Sequence, residues 1–394
     1  MNLIFFDGNS HNSLLPLTYT RPVAALRVGI LTIEEKWKKF LVCENTSYLT
    51  PDYLSKKYKL KKDSVNLLIN GAACPNFNSV QLVKELELNQ AVYFKDNLIA
   101  IALDAESLDS FKLGQVKAAK IFQLNELNFI SCVPDIFLLN DAELRSDFNL
   151  ITKGRKSRIL SNTNTIIGDV SQIFMEEGAV CEASILNCKT GPIYIGKNSE
   201  IMEGTVIRGP LAICEHAQIK LATKIYGATT VGPHCRVGGE INNSVLLAYS
   251  NKGHDGFLGN SVIGEWCNLG ADTNNSNLKN NYGDVKIWDY EHGHMKNTGL
   301  QFCGLIMGDH SKSGINTMFN TGTTVGVCAN IFGGGFPPSY VPSFSWGGSD
   351  GFEEYKLDKA FEVAAKVMER RQCRLCTEDQ NILQNVKLLN GYIK

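Results

Sequence analysis

No run of eighteen apolar residues occurs anywhere in the 394-residue chain, which excludes a membrane-spanning helix of ordinary length. The opening MNLIFFDGNS lacks both a basic stretch and a long apolar core, so a secretory leader is not expected and the expected compartment is the cytoplasm. An excess of positive charge is also missing. The 39 Lys and Arg against 40 Asp and Glu argue against a nucleic-acid surface, although local basic residues suffice for a small phosphorylated ligand. The twelve cysteines are scattered, and Cys181, Cys188, Cys214 and Cys235 read as small buried hydrophobes of a reducing compartment. Cys373 and Cys376 form a lone Cys-x-x-Cys without a second pair, in a charged tail, which favours a plain tail over a structural metal.

What the chain does have is a beat of six. Isoleucine or valine occupies Ile195, Ile201, Ile207, Ile213, Ile219, Ile225, Val231 and Val237. Neither a helix, with its period of about 3.6, nor a strand alternating in twos keeps such a rhythm. It is the repeat of a parallel β-helix in which each hexapeptide forms one short side and its aliphatic residue points inward. The rhythm returns at Val245, Phe257, Ile263 and Leu269, and again at Met307, Ser313, Phe319, Val325 and Ile331.

The length implies more than one domain. Residues 1–150 mix buried-strand runs (Leu3 to Phe6, Leu67 to Ile69) with short helical segments (Ile33 to Phe40, Val80 to Leu88), the pattern of an α/β sheet. Residues 151–336 hold the solenoid, roughly ten coils if three hexapeptides close one coil. Residues 337–394 continue a Gly/Pro/Ser-rich bridge and end in a helical tail from Glu353, expected to cap the last coil. Two stretches break the beat, Gly238 to Gly253 and Asn274 to Gly283. Either a binding-face excursion or a plain surface loop accounts for each.

The run Lys252-Gly253-His254-Asp255-Gly256-Phe257-Leu258-Gly259, with Asn268-Leu269-Gly270-Ala271 and Asn277, resembles the bifunctional enzymes that make UDP-N-acetylglucosamine. Those join a uridylyltransferase domain to a left-handed β-helix glucosamine-1-phosphate acetyltransferase. The whole chain is similar to the divergent form found in the Bacteroidetes group, through Leu15-Pro16-Leu17-Thr18-Tyr19-Thr20-Arg21-Pro22, Leu26-Arg27-Val28-Gly29-Ile30 and Glu35-Lys36-Trp37. The resemblance implies a nucleotidyltransferase-like α/β domain followed by a left-handed parallel β-helix. It also implies acetyl-CoA as cosubstrate and a homotrimer whose transfer site lies between adjacent solenoids.

Acetyl transfer needs a base to take a proton from the sugar ammonium, and histidine suits that task near neutral pH. The resemblance makes His254 that base and Glu240 the acid that orients it, against the bland reading of an exposed turn histidine. It places Lys220 at the sugar phosphate, Asn268 and Asn277 on the amino sugar, and backbone N–H groups near Gly270 and Ala271 at the developing oxyanion. Ala271, Gly314, Asn316 and Arg370 would face the CoA. There are departures: Asn242 stands where the family has a lysine and Phe257 where it has a tyrosine, which leaves open an acceptor held differently, another amino sugar phosphate, or a replacement of the lost charge by Lys279 or Lys286. His292-Gly-His294 supplies two metal-type ligands, and a surface turn is the simpler reading.

Sugar nucleotidyltransferases open with a glycine-rich loop ending in Gly-Thr-Arg, whose backbone wraps the triphosphate. Here Thr20-Arg21 stands without preceding glycines. Arg21, Arg27 and Lys36 are the candidate phosphate-neutralising residues, Asn70-Gly71 the candidate nucleotide-side turn, and Asp104 and Asp135 the candidates for Mg²⁺. A sugar-nucleotide sensor or scaffold without chemistry is the non-enzymatic alternative.

Overall fold

The computed structural model describes residues 2–43, 45–112 and 117–390. Their contacts divide them into two units. The first comprises Met1–Leu14, Thr20–Leu26 and Leu31–Cys132, the second Leu15–Tyr19, Arg27–Ile30 and Val133–Lys394. The last change from one unit to the other falls at residue 132/133, and the helix Asn140–Thr152 goes with the second unit.

The first unit is built on a six-stranded sheet of β1 (Asn2–Phe6), β2 (Thr46–Leu49), β3 (Val65–Asn70), β4 (Gln90–Phe94), β5 (Asn97–Asp104) and β6 (Lys120–Leu124), in the order β2-β1-β3-β5-β4-β6. Strands β2, β1 and β3 run parallel and β5 antiparallel to β3. The two apolar runs are therefore neighbouring central strands. Leu3, Ile4, Phe5, Leu68 and Ile69 are fully buried, as strands covered on both faces require. The helix expected over 33–40 forms as Ile33–Leu41, opened by a capping box in which Glu35 N donates to Thr32 Oγ1 at 3.2 Å and Thr32 N to Glu35 Oε2 at 2.7 Å. The second helix forms earlier than expected, over Phe77–Lys84, because Asn76 caps it and Ser79 returns the hydrogen bond.

The second unit is a left-handed parallel β-helix with three faces. Face I has six strands, from Thr165–Ile167 to Phe257–Gly259. Face II has nine, ending in Tyr340–Val341, and face III has ten, ending in Gly351–Glu354. Corresponding hexapeptide residues stack coil on coil: Ile195 pairs Ile213 and Ile213 pairs Val231, while Ile219 pairs Val237. All are buried in one continuous core with Met307, Phe319, Val325 and Ile331. The glycines that follow inward residues have a steric cause. A Cβ on Gly232 would sit 1.7 Å from the carbonyl oxygen of Leu247 in the next coil.

Three expectations change. The stretch Gly238 to Gly253 is no excursion: it stays in the coil with shortened turns, its inward residues are Ile241, Leu246 and Lys252, and Leu258 follows in the next coil. Phe257 accordingly points outward, one residue from the inward Leu258. The Gly/Pro bridge does not leave the solenoid either, since Tyr340–Val341 pairs with Thr324–Val325 and Trp346 with Asn330. The last edge of face III is extended by the antiparallel strand Gly351–Glu354, which the helix Thr377–Asn390 meets through an ion pair of Lys387 with Glu354; the tail helices begin later than expected, at Leu357 and Thr377. The excursion after Asn275 is real and longer than the polar run, holding the hairpin Lys286–Asp289 with His294–Asn297.

Face II is covered by its own unit. Thr230 Oγ1 donates to Gly29 O at 2.8 Å, Gly29 N to Asn140 Oδ1 at 2.7 Å, and Ile30 N to Asp147 Oδ2 at 2.8 Å. Among the described residues no helix is long and apolar enough to cross a membrane.

Candidate functional site

One candidate site runs along the edge between faces III and I. Two residues past each inward residue of face III the chain turns this corner. The register stacks Leu221, Gly239, His254, Ala271 and Ile315 there in successive coils. His254 is exposed, Ile315 and Leu221 are 70% and 64% exposed, and Asn316 N donates to Ala271 O at 2.8 Å. Gly314 packs over Gly270 at the same corner. The edge thus brings His254, Ala271, Gly314 and Asn316 together in one lane. Gly270 spends its N–H on Ser313 O, so Ala271 is the member of the pair whose N–H has no internal acceptor among the described residues.

The turn bearing His254 is held from inside. Lys252 occupies the inward slot filled by Val237 and Leu269 in its neighbouring coils, and it is 1% exposed. Its ammonium donates to three carbonyls, those of His254 at 2.6 Å, Asp255 at 3.0 Å and Gly238 at 3.3 Å. Gly239, at φ +78°, lies under this turn: a Cβ there would approach Gly256 O to 2.7 Å. Sequence reading passed over Lys252, although a charged residue in an inward slot was a visible signal.

Around the corner, on face I, Lys224, Glu240 and Phe257 form an outward column. No hydrogen bond joins Glu240 to His254 among the described residues. Glu240 Oε1 accepts from Tyr226 Oη at 2.6 Å and its Oε2 faces Lys224 Nζ at 3.6 Å. The cause is register, since Glu240 opens a strand one coil below Phe257 while His254 lies three residues before that phenylalanine. The bond to Glu240, with burial second, pushes the Tyr226 phenol up to about 12. The basic residue beside Glu240 is Lys224, which sequence reading missed. Lys220 turns back to Gln218 Oε1 at 3.0 Å, on face III. Asn242 continues face I beside Gly259, and Asn277 bonds Asn260 Oδ1 at 2.8 Å just above. Asn268 is exposed on face III between Asn251 and Lys312, and the Lys279 ammonium binds Asp284 O inside the excursion. Lys286 opens the excursion hairpin. Arg370 is exposed at the end of the helix Leu357–Glu369. His292 bonds Asp289 Oδ2 at 2.9 Å in the hairpin turn, and Cys376 Sγ bonds Asp379 Oδ2 at 3.1 Å.

A second candidate site lies in the first unit, where β1 ends beside both β2 and β3. In such sheets the crevice beyond the carboxyl ends of strands at this switch of direction is the usual ligand position. The turn there is Asp7-Gly8-Asn9, with Gly8 at φ +51°. It borders a cleft of about 810 Å³ together with Tyr48 to Asp52 and Lys112. Asp7 is 1% exposed and fixed from three sides: Val23 N donates to Oδ1 at 2.9 Å, Thr50 Oγ1 to Oδ2 at 2.5 Å, and His11 Nδ1 lies 3.2 Å from Oδ2. His11 Nε2 reaches Tyr53 Oη at 3.1 Å. The Asp-Gly-Asn directly after a buried strand was the sequence signal for this turn, which lines the cleft where Thr20 and Arg21 do not.

The expected nucleotide residues do not line that cleft. Arg21 and Lys36 are buried, at 4% and 1% exposure. Arg27 belongs to the second unit, where Nη1 donates to Ile30 O. Asn70 is spent on Leu98 O and the Ala72 N–H, and Gly71 N donates to Phe6 O with Val23 and Ala24 packed against it. Asp104 caps Ser107 N at 2.7 Å, and Asp135 lies in the second unit, so the two metal candidates do not meet within one unit. No group of three or more His, Cys, Asp or Glu that could hold a metal occurs among the described residues.

Residues 3–156 match the family model described as sugar nucleotidyl transferase, which gives the chain a nucleotidyltransferase-like region. No curated protein matches the chain.

Burial pushes the Lys252 ammonium down to about 8, with Asp255 and Asp272 opposing. A folded-state value below the unfolded one means that the fold carries a penalty for this charge at neutral pH. The penalty fades as pH rises through about 8 toward the ordinary lysine range. The stability of Lys252→Met relative to wild type should therefore be most favourable at neutral pH and decline as pH rises through about 8, on top of a pH-independent cost of the three lost carbonyl hydrogen bonds. The amides of Gly253 to Gly256 should meanwhile exchange about tenfold faster once their carbonyl clamp is gone. Unchanged exchange in that turn would remove Lys252 as its anchor.

Proposed function

We propose that the chain is a cytoplasmic enzyme of amino-sugar activation, forming a sugar nucleotide from a nucleoside triphosphate and a sugar 1-phosphate. The observation that carries this reading is the family match over residues 3–156, on a sheet whose β1 ends in a positive-φ glycine turn beside an open cleft. In the reaction a phosphate oxygen of the sugar 1-phosphate attacks the α-phosphorus of the nucleotide, UTP in the reading favoured here, and pyrophosphate leaves. Gly8 lets the backbone approach the phosphates, and Lys112 adds charge at the rim. Asp7 spends both oxygens within the protein, so it is no free magnesium ligand. Mg²⁺ would enter as part of the nucleotide substrate.

The solenoid supports a second activity, acetyl transfer from acetyl-CoA to glucosamine 1-phosphate or a close relative. His254 would take the ammonium proton as the nitrogen attacks the thioester carbonyl, and the thiolate of CoA leaves. The Ala271 N–H would donate to the oxyanion, while the exposed apolar corner of Leu221, Ala271 and Ile315 suits a pantetheine arm with Gly314, Asn316 and Arg370 alongside. Lys224, with Lys220 and Lys279 farther off, would serve the sugar phosphate, and Asn268 and Asn277 the sugar. One observation favours a sensor without chemistry, namely that Glu240 pairs with Tyr226 and Lys224 in place of His254. Heat of binding for acetyl-CoA separates the two, because a sensor of sugar nucleotides should ignore it.

A homotrimer fits face I, whose outward Ile185, Val206 and Tyr226 are 39%, 44% and 38% exposed. Light scattering should give three chains; the mass of one, 43.5 kDa, would refute it. Wild-type protein should release pyrophosphate from UTP with N-acetylglucosamine 1-phosphate, and silence with every nucleoside triphosphate would end the nucleotidyl reading. His254→Ala should cut acetyl transfer by about a hundredfold while pyrophosphate release continues. Near-normal transfer would mean another base.

A further inference from the structure

Face III carries an outward column of Glu200, Gln218, Arg236 and Asn251 in successive coils. Three cations gather over it. Lys220 donates to Gln218 Oε1 at 3.0 Å, Arg236 stands in the column itself, and Arg371 reaches in from the turn after the helix Leu357–Glu369. Arg371 Nη2 donates to Asn251 Oδ1 at 3.1 Å. Lys220 and Arg371 find only amide oxygens, and none of the three cations forms an ion pair among the described residues. The carboxylate that faces them, Glu200, is already engaged, accepting from Gln218 Nε2 at 3.0 Å.

Two observations show that the arrangement is incomplete. Arg236 Nε is buried and has no hydrogen-bond partner, a costly state for a guanidinium N–H. The cations also oppose one another. Burial and then Arg236 and Arg371 hold Lys220 below its usual range, with Glu200 opposing, and burial, Arg236 and Arg370 hold Arg371 down. Both strains are relieved by one kind of group, an oxyanion with more than one negative charge. The fork of an arginine matches a phosphate, and a lysine adds a point charge.

We propose that Lys220, Arg236 and Arg371 form a binding site for the phosphoryl group of a small molecule, with the Gln218 and Asn251 side chains as its polar walls. The site lies on face III, apart from the Glu240 column of face I, and shares only Lys220 with the residues proposed for acetyl transfer. Because one of its three cations comes from the C-terminal tail, occupancy pins the turn at Arg371 to the coil of Asn251.

Calorimetry on the full-length protein with inorganic phosphate tests this. Wild type should bind phosphate saturably, and Arg236→Gln and Arg371→Gln should each weaken binding by about tenfold or more. Lys366→Gln, on the same helix as the tail turn but paired with Glu362, should leave it unchanged. Arg236→Gln should melt no lower than wild type in phosphate-free buffer, which separates a lost ligand from a lost fold. Displacement of phosphate by a sugar 1-phosphate, or instead by a nucleoside diphosphate, in wild type but not in Arg236→Gln identifies the carrier. Absent binding in wild type, or wild-type affinity in both arginine variants, overturns the proposal. So does an oligomer that falls apart in Arg236→Gln without any response to phosphate, which would assign the cations to an acidic partner surface.

Discussion

A coil of this solenoid can bury its aliphatic side chains only beneath another coil, and everything else in the second unit follows from that constraint. No single hexapeptide encloses a core, so the inward column from Ile195 to Val341 is stable only as a stack. Stacking fixes register, and register decides which residues meet. It puts Lys224 beside Glu240, sets His254 in the same lane as Ala271 and Ile315, and leaves the Gly232 position no room for a side chain. The chemistry of the edge is thus imposed by the packing inside it. Lys252 shows the coupling most directly, since a charge placed in the core holds the turn that displays the histidine outside.

Much of this was legible because a six-residue period has few physical explanations. The fold class, the two central strands of the first sheet and the inward residues from Met307 to Ile331 could all be read from residue spacing. Where spacing slipped, reading slipped with it. The shortened turns after Val237 shift the inward position by a residue, so Phe257 and Val245 look inward in the sequence while Leu258 and Leu246 take the core. The Gly/Pro bridge looked like a linker because glycine and proline punctuate both linkers and tight coil corners, and only the pairing of Tyr340 and Trp346 separates the two.

The sites were harder for a different reason. Alignment with a known pattern supplies residue identities but not directions. Glu240 has the right spacing from His254, yet two neighbours in its own strand ladder, Tyr226 and Lys224, claim its carboxylate. In the first unit, Arg21 and Lys36 were chosen for charge, and burial is invisible in charge. The Asp7-Gly8-Asn9 turn is the converse: unremarked as a motif, it becomes a candidate once the strand order puts it at the mouth of a cleft. Local chemistry was readable, and long-range company was not.

The strips Leu15–Tyr19 and Arg27–Ile30 lie early in the chain but count with the later unit. Gly29 and Ile30 are bonded there to Asn140, Asp147 and Thr230, on a face of the solenoid that would otherwise expose its backbone neighbours to water. The polypeptide therefore weaves between its two parts several times before settling into the coil. Such threading makes the architecture non-modular. No single cut yields either unit whole, and fragments split at one point would each lack stitches the other carries.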